Sequence, residues 1–175
     1  MAGEPMKRGV IGIDPSLTGT GIANISGDCF TVRGKLGDDA RLTLIVDAVR
    51  IQGEVADLAV IEDLPTHAMS AGKTGMAQGV VRFALQDVLT PYVLVTPATL
   101  KVFATGRGNA DKSDMRMELF KRAGLDLRDD NQVDAWWLRQ LGLHWMGIGS
   151  IPLPALHTRA LDKVDFSHLH EGIKP

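Results

Sequence analysis

The sequence predicts a single α/β domain: a mixed five-stranded sheet, an antiparallel meander plus two parallel strands, with helices on both faces. Three observations predict it. The first 33 residues hold three short apolar segments divided by turn residues, which is the pattern of an antiparallel meander. From residue 41 onward, segments with helical spacing alternate with two short apolar runs, as in strands joined through helices and therefore parallel. Finally, 175 residues with 45% hydrophobic and 23% charged side chains make an ordinary globular chain of one-domain size. Such a chain buries about two thirds of its unfolded surface and needs no disulfide or structural metal to fold.

Each element has a local reason. Residues 10–14 are almost wholly apolar, as a central strand buried on both faces requires. Residues 20–25 and 29–33 follow as strands around the turn Ser26-Gly27-Asp28. Residues 41–55 carry apolar side chains at 42, 45, 46 and 49, which is helical spacing. Residues 58–61 form a short apolar strand ending at Glu62, and the small and polar residues of 64–75 predict a mobile loop. Residues 76–89 read as a helix and 92–95 as a strand. Residues 97–104 open with Thr-Pro, a sound helix start with proline at the first helical position. Residues 106–109 form a turn. Residues 113–123 are helical, capped by Asp111 or Ser113. Asp129 or Asp130 opens a last helix running to about Met146. The main folded unit is thus 1–147. Residues 148–175 form a C-terminal tail without an assigned role, with a short helix expected near 155–163.

Composition excludes several classes. One cysteine, Cys29, rules out an intrachain disulfide framework. No apolar run approaches the roughly 20 residues of a membrane span, and residues 1–8 lack a signal-peptide core, so a soluble, cytoplasmic protein is expected. The net charge of −2 argues against a purely electrostatic nucleic-acid binder. Between Lys101 and Arg122, however, six basic residues face three acidic ones. A local basic stripe of this kind suits a groove that follows phosphates, although a solvated helix face would look the same.

Three carboxylates stand at informative places. Asp14 ends the first strand and Glu62 the fourth. If those strands are parallel neighbours, their C-terminal ends lie about 5 Å apart and share the crevice where open α/β sheets place ligands. Asp134 is on the final helix, with Asp130 and Asn131 four and three residues before it on one helical face. Clustered carboxylates stay ionised at pH 7 only when cations neutralise them. Hard oxygen donors select Mg²⁺ or Mn²⁺, and a single thiol argues against zinc. Two such ions about 4 Å apart would activate water and stabilise the leaving oxygen in phosphodiester hydrolysis.

Four segments in series carry a resemblance: GIDPSLTGTGIA, RLTLIVDAVRIQGEVADLAVIEDLP, TPATLKVFATGRGNADKSDM and DDNQVDAWWL. Together, over about residues 9–143, they resemble the RuvC-type Holliday junction resolvases of the RNase H-like nuclease superfamily. The resemblance implies an RNase H-like fold and a crossover junction endodeoxyribonuclease that cuts four-way DNA junctions as a homodimer with Mg²⁺, Mn²⁺ substituting. It implies that Asp14, Glu62 and Asp134 are metal-binding acids and that Lys101 and Lys112 act on the scissile phosphate. Lys101, Arg107, Lys112, Arg116 and Lys73 are the expected DNA contacts. Two departures stand out. The family's fourth acid falls on Asn131, with Asp130 beside it, so the fourth ligand is Asn131, Asp130 or water. The family's junction-stacking aromatic near Pro65 is missing, leaving His67 or Met69 as possible wedges.

Other signals are weaker. Gly72-Lys73-Thr74 lacks the upstream glycine of a phosphate loop, because that position is His67. No nucleotide cofactor is expected. Trp136, Trp137 and Trp145 read as packing residues, and His168-Leu169-His170 as a solvated tail. Two competing functions remain: a catalytically weak binder of branched DNA, motivated by Asn131, and an actin-like ATPase or kinase fragment, for which the chain is short. The best surface for a second copy is the helix at 76–89, where Gly75, Ala77, Gly79 and Ala84 allow close approach and Val80, Val81, Phe83 and Leu85 supply apolar area.

Overall fold

In the computed structural model, which describes residues 9–35, 37–64 and 71–169, five strands form one sheet in the order β3-β2-β1-β4-β5. The strands are β1 (Val10–Asp14), β2 (Thr20–Ala23), β3 (Cys29–Val32), β4 (Leu58–Glu62) and β5 (Tyr92–Val95). β1, β2 and β3 are antiparallel neighbours, whereas β4 runs parallel to β1 and β5 parallel to β4. The helices are α1 (Asp38–Gly53), α2 (Ala71–Asp87), α3 (Pro97–Thr105), α4 (Lys112–Ala123), α5 (Asp130–Trp145) and the short α6 (Ala155–Thr158), followed by a 3₁₀ turn at Arg159–Lys163. This is the mixed RNase H-like α/β architecture that the sequence predicts.

Strand alternation divides the core in two. Ile11 and Ile13 of β1 and Ala59 and Ile61 of β4 face α1 and α2, together with Ile45, Val49, Val81 and Leu85. Val10, Leu58 and Val60 face the other way, against Trp137, Leu138 and Leu141 of α5 and Phe103 of α3. Asp14 and Glu62 continue this second set, so the period of two alone puts both acids on the α5 side. Two glycines bring α5 down onto that side. A Cβ at Gly12 would collide with the Ala135 carbonyl, and one at Gly21 with the Asn131 carbonyl. Alanine at either position would push the helix off the sheet, an overpacking cost of about 1–3 kcal/mol or more. Backbone-to-backbone approach at Gly12 thus sets how close Asp134, one residue before Ala135, comes to the strand ends.

Several boundaries differ from those expected. β2 ends at Ala23, two residues early, because the Asn24 side-chain oxygen accepts from the N–H groups of Ser26 and Asp28 and turns the chain there. α1 starts at Asp38, where Asp38 and Asp39 complement the helix dipole. α2 begins at Ala71, so residues 71–75 are helical where a loop is expected. Two glycines make this turn weak by propensity, and it propagates from a body anchored by buried Ala77, Val81, Ala84 and Leu85. Gly72-Lys73-Thr74 therefore sits in the first turns of a helix. The remaining loop residues, 65–70, including His67 and Met69, lie outside the described residues. So does His170.

The proposed pairing surface on α2 splits. Ala77, Val81, Ala84 and Leu85 are buried within the chain itself, a correction to their assignment as surface for a partner, while Met76 and Phe83 are exposed. Trp136 and Trp137 are core residues, and Trp145 stacks on Phe166 with ring centroids 4.3 Å apart. Ala160, Val164 and Leu169 join the same core as α3 and α5, and the His157 ring donates to the Phe103 carbonyl at 2.9 Å. His168 donates to the Tyr92 carbonyl on the open edge of β5 at 2.9 Å. No helix among the described residues is long and apolar enough to cross a membrane.

Candidate metal centre

Asp14 and Glu62 are the last residues of β1 and β4, and the register Ile13↔Ile61 places them side by side. Gln78, buried on α2, donates to the Glu62 carbonyl at 3.2 Å and to Asp63 at 3.1 Å, which fixes the end of β4. Asp134 descends from α5, whose start is set by Asp129: its side chain accepts from the Asn131 N–H at 3.1 Å and also binds Thr31 and Arg33 of the meander at 2.7 Å each. The result is that Asp14, Glu62 and Asp134 each offer an oxygen within 4.8 Å of the other two.

Their electrostatics are those of acids crowded in a poorly hydrated place. Burial first, then repulsion from Asp134, pushes Asp14 up to about 7. Burial and the charges of Asp14 and Asp134 push Glu62 well above the ordinary carboxylate value. Burial pushes Asp134 up to about 6 even though Lys112 and Lys101 pull it down. Such a group cannot be fully ionised alone, and a divalent cation removes both penalties at once. The donor set therefore fits a hard, oxygen-preferring metal ion.

The lysines are placed by two helix starts. α3 opens on Thr96, whose hydroxyl accepts from the Thr99 N–H at 3.3 Å, with Pro97 in the first position. That start sets Lys101, whose charge reaches Glu62 and Asp134. α4 opens on Asp111 in a reciprocal capping box with Asp114. Its first residue, Lys112, sends its charge to Asp14 and Asp134.

The other candidate residues part from this group. Asp130 holds Lys112 at 2.9 Å and also pairs with Arg116, so among the converging carboxylates it has no place. The Asn131 amide nitrogen lies beside Gly19 in the β1–β2 turn. Arg107 pairs with Asp114 at 3.0 Å, and Lys73 with Asp38 at 3.3 Å. Sequence reasoning overlooked Arg33 and Arg128. With Lys112, Arg116, Asp129, Asp130 and Asn131 they line an open cavity of about 490 Å³. Arg33 follows the end of β3, which runs the same way as β1, so topology could have pointed to it. A larger, more apolar hollow of about 810 Å³ lies between α2, β5 and the C-terminal segment, and none of the predicted site residues line it.

No protein-family model matches the chain. It is 30% identical over 131 residues to the crossover junction endodeoxyribonuclease RuvC of Nocardia farcinica, covering 66% of this chain and 69% of that one. The RuvC of Parvibaculum lavamentivorans is 29% identical over 127 residues, covering 65% and 73%. Among solved structures, Thermus thermophilus RuvC superposes with a TM-score of 0.67 at 19% identity, covering 81% of this chain and 97% of that one. The same protein in complex with a Holliday junction substrate gives 0.65 at 22% identity, covering 82% and 98%. The two solved structures share the fold, the relatives share the sequence over two thirds of their length, and the chain belongs to the RuvC family of crossover junction endodeoxyribonucleases.

Proposed function

We propose that the chain is a metal-dependent, structure-selective DNA endonuclease that hydrolyses phosphodiester bonds at four-way and related branched junctions. The observation that carries this reading is the convergence of Asp14, Glu62 and Asp134 within 4.8 Å, with the charges of Lys101 and Lys112 directed at them. The names of the relatives support the same activity. Asp14, Glu62 and Asp134 would hold two Mg²⁺ ions, with Mn²⁺ as a substitute. Bound there, the ions would supply an activated water and positive charge at the leaving oxygen.

The chain's own residues do the rest. Attack on the phosphorus builds negative charge on the phosphate oxygens. Lys101 and Lys112 approach from α3 and α4 and stabilise that charge as it develops. Arg116, Arg33 and Arg128 around the neighbouring cavity, with Arg107 and Lys73 further out, attract flanking phosphates and set the register of the duplex arm. A four-way junction needs two cuts, and its approximate two-fold symmetry suits a homodimer with one acid cluster per subunit. Exposed Met76 and Phe83 of α2 are the proposed contact between the subunits.

A nicking assay tests the reading. Purified protein with Mg²⁺ should cut a synthetic four-way junction in paired strands of like polarity, leave linear duplex of the same sequence intact, and stop on addition of EDTA. Tight junction binding without cleavage at any Mg²⁺ or Mn²⁺ concentration would favour a non-catalytic binder, the reading that Asn131 in place of a fourth acid motivates.

A further inference from the structure

We propose that Asp130 is a positioning residue, not a metal ligand: it holds the Lys112 ammonium at the mouth of the acid cluster. This rests on the role of Lys112 proposed above and adds a second component to it. The two oxygens of Asp130 are both occupied. One accepts from Lys112 Nζ at 2.9 Å, and the other accepts from Arg116 Nη2. Arg116 Nη2 also donates to the Arg128 carbonyl at 2.7 Å. The planar guanidinium therefore spans the chain just before α5 and the first residue of α5, and locks the Asp130 carboxylate in one orientation. Asp134 stands one turn further along the helix, among the converging acids, and Asp130 does not.

Lys112 needs such a holder. Its side chain is 74% exposed, it is the first residue of α4, and Asp130 is its one ion-pair partner among the described residues. An unrestrained lysine on a flexible four-carbon stem samples many rotamers, and only those beside the scissile phosphate stabilise the transition state. Asp130 removes that search before substrate arrives. The link from Arg128 through Arg116 and Asp130 to Lys112 ties α4 to α5, so the ammonium keeps its place relative to Asp134. Asp130 raises the affinity of Lys112 for its proton, and Lys112 in turn favours the ionised forms of Asp14 and Asp134.

The test combines three readouts on wild type, Asp130→Asn, Lys112→Ala and their double variant, with Asp134→Asn as the control for metal binding. Calorimetric Mg²⁺ binding, which needs no cleavage, should change less than about threefold in Asp130→Asn and be lost in Asp134→Asn. In metal-free protein labelled with ¹⁵N-lysine, a hydrogen-bonded Lys112 ammonium resonance should be present in wild type and averaged away in Asp130→Asn. Single-turnover cleavage should fall about tenfold in Asp130→Asn at unchanged junction affinity, with no further fall when Lys112 is already alanine. A tenfold loss of Mg²⁺ affinity in Asp130→Asn, an ammonium resonance insensitive to it, or an additive loss in the double variant overturns the proposal. Wild-type turnover in Lys112→Ala overturns instead the role given to that lysine. A wild type that does not cut overturns the nuclease reading, and the calorimetric and spectroscopic arms still decide for or against Asp130.

Discussion

Asp130 and Asp134 stand one turn apart on the same helix, and their surroundings treat them in opposite ways. Asp134 points into the end of the sheet, where burial holds its carboxyl at about 6. Asp130 points toward α4, and although burial raises it, its bonds to Lys112 and Arg116 hold it below the ordinary carboxylate value. The first is a charge that the fold leaves in need of a cation from outside. The second is a charge that the fold has already satisfied. Helical spacing says only that two residues share a face; which neighbours pack against each end of that face decides whether an acid is a candidate ligand or a structural anion.

The contrast is broken most directly at the acid cluster. Asp134→Asn or Asp14→Asn leaves an incomplete donor set, and junction cleavage should fall on the order of a thousandfold or more, with junction affinity equal or higher. Gel-based single-turnover kinetics with Mg²⁺ check it, and wild-type rates in either variant would remove the cluster from the chemistry. Next come the lysines. Alanine at Lys101 or Lys112 should lower turnover by about a hundredfold and binding by far less, because each charge matters most when negative charge develops on phosphate. A loss of affinity with an unchanged rate would reassign them to phosphate attraction.

The sequence made most of this legible. The ends of two short apolar runs placed Asp14 and Glu62 at strand termini that share a crevice, and the alternation of elements predicted that their strands run parallel. Asp134 followed from the helical pattern after Asp129. What stayed hidden was set by long-range contacts. Nothing local distinguishes Asp130 from Asp134; the difference comes from Arg116 and Lys112, 14 and 18 residues earlier in the chain. Val81 and Phe83 both read as apolar helix positions, and only packing on the sheet separates a core residue from an exposed one. The extra turn at the start of α2 was hidden by its glycines.

Metal-free stability sharpens the same comparison, at the scale of a few kcal/mol. The ordinary aspartate value is 3.8, and folding raises Asp14 to about 7 and Asp134 to about 6. Between about pH 4 and pH 7 the folded chain therefore binds more protons than the unfolded one, and these groups make stability fall as pH rises through that window. Asp134→Asn removes one such group, and at pH 8 without metal it should raise Tm by several degrees, corresponding to about 2–3 kcal/mol. Asp130→Asn should do the opposite weakly, costing under about 1 kcal/mol, because it breaks partly exposed ion pairs whose contribution is lost only at acid pH. Mg²⁺ should raise wild-type Tm more at pH 8 than at pH 5, since protons compete for the same oxygens. Thermal unfolding followed by circular dichroism, with and without EDTA, reads all three. An Asp134→Asn variant less stable than wild type at pH 8 would mean that the acids are not in conflict.

The smallest effect belongs to Asn131, between the two aspartates in kind as well as in place. Its backbone carbonyl packs on Gly21 and its amide lies beside Gly19 in the β1–β2 turn. Unlike Asp130 it carries no charge for its cationic neighbours to satisfy, and unlike Asp134 it brings none to the cluster. Asn131→Asp would add a fourth negative charge beside the cluster, in the cavity that Arg33 and Arg116 also line. At an effective dielectric near 20, that charge should tighten Mg²⁺ binding by roughly three- to tenfold and shift half-maximal cleavage to correspondingly lower Mg²⁺. The same charge should push Asp14 and Asp134 still higher in metal-free protein and lower its Tm at pH 8, so affinity for metal and metal-free stability should move in opposite directions. A Mg²⁺ titration superimposable on wild type, with Tm also unchanged, would mean that the carboxylate turns to solvent and that water completes the coordination in this chain.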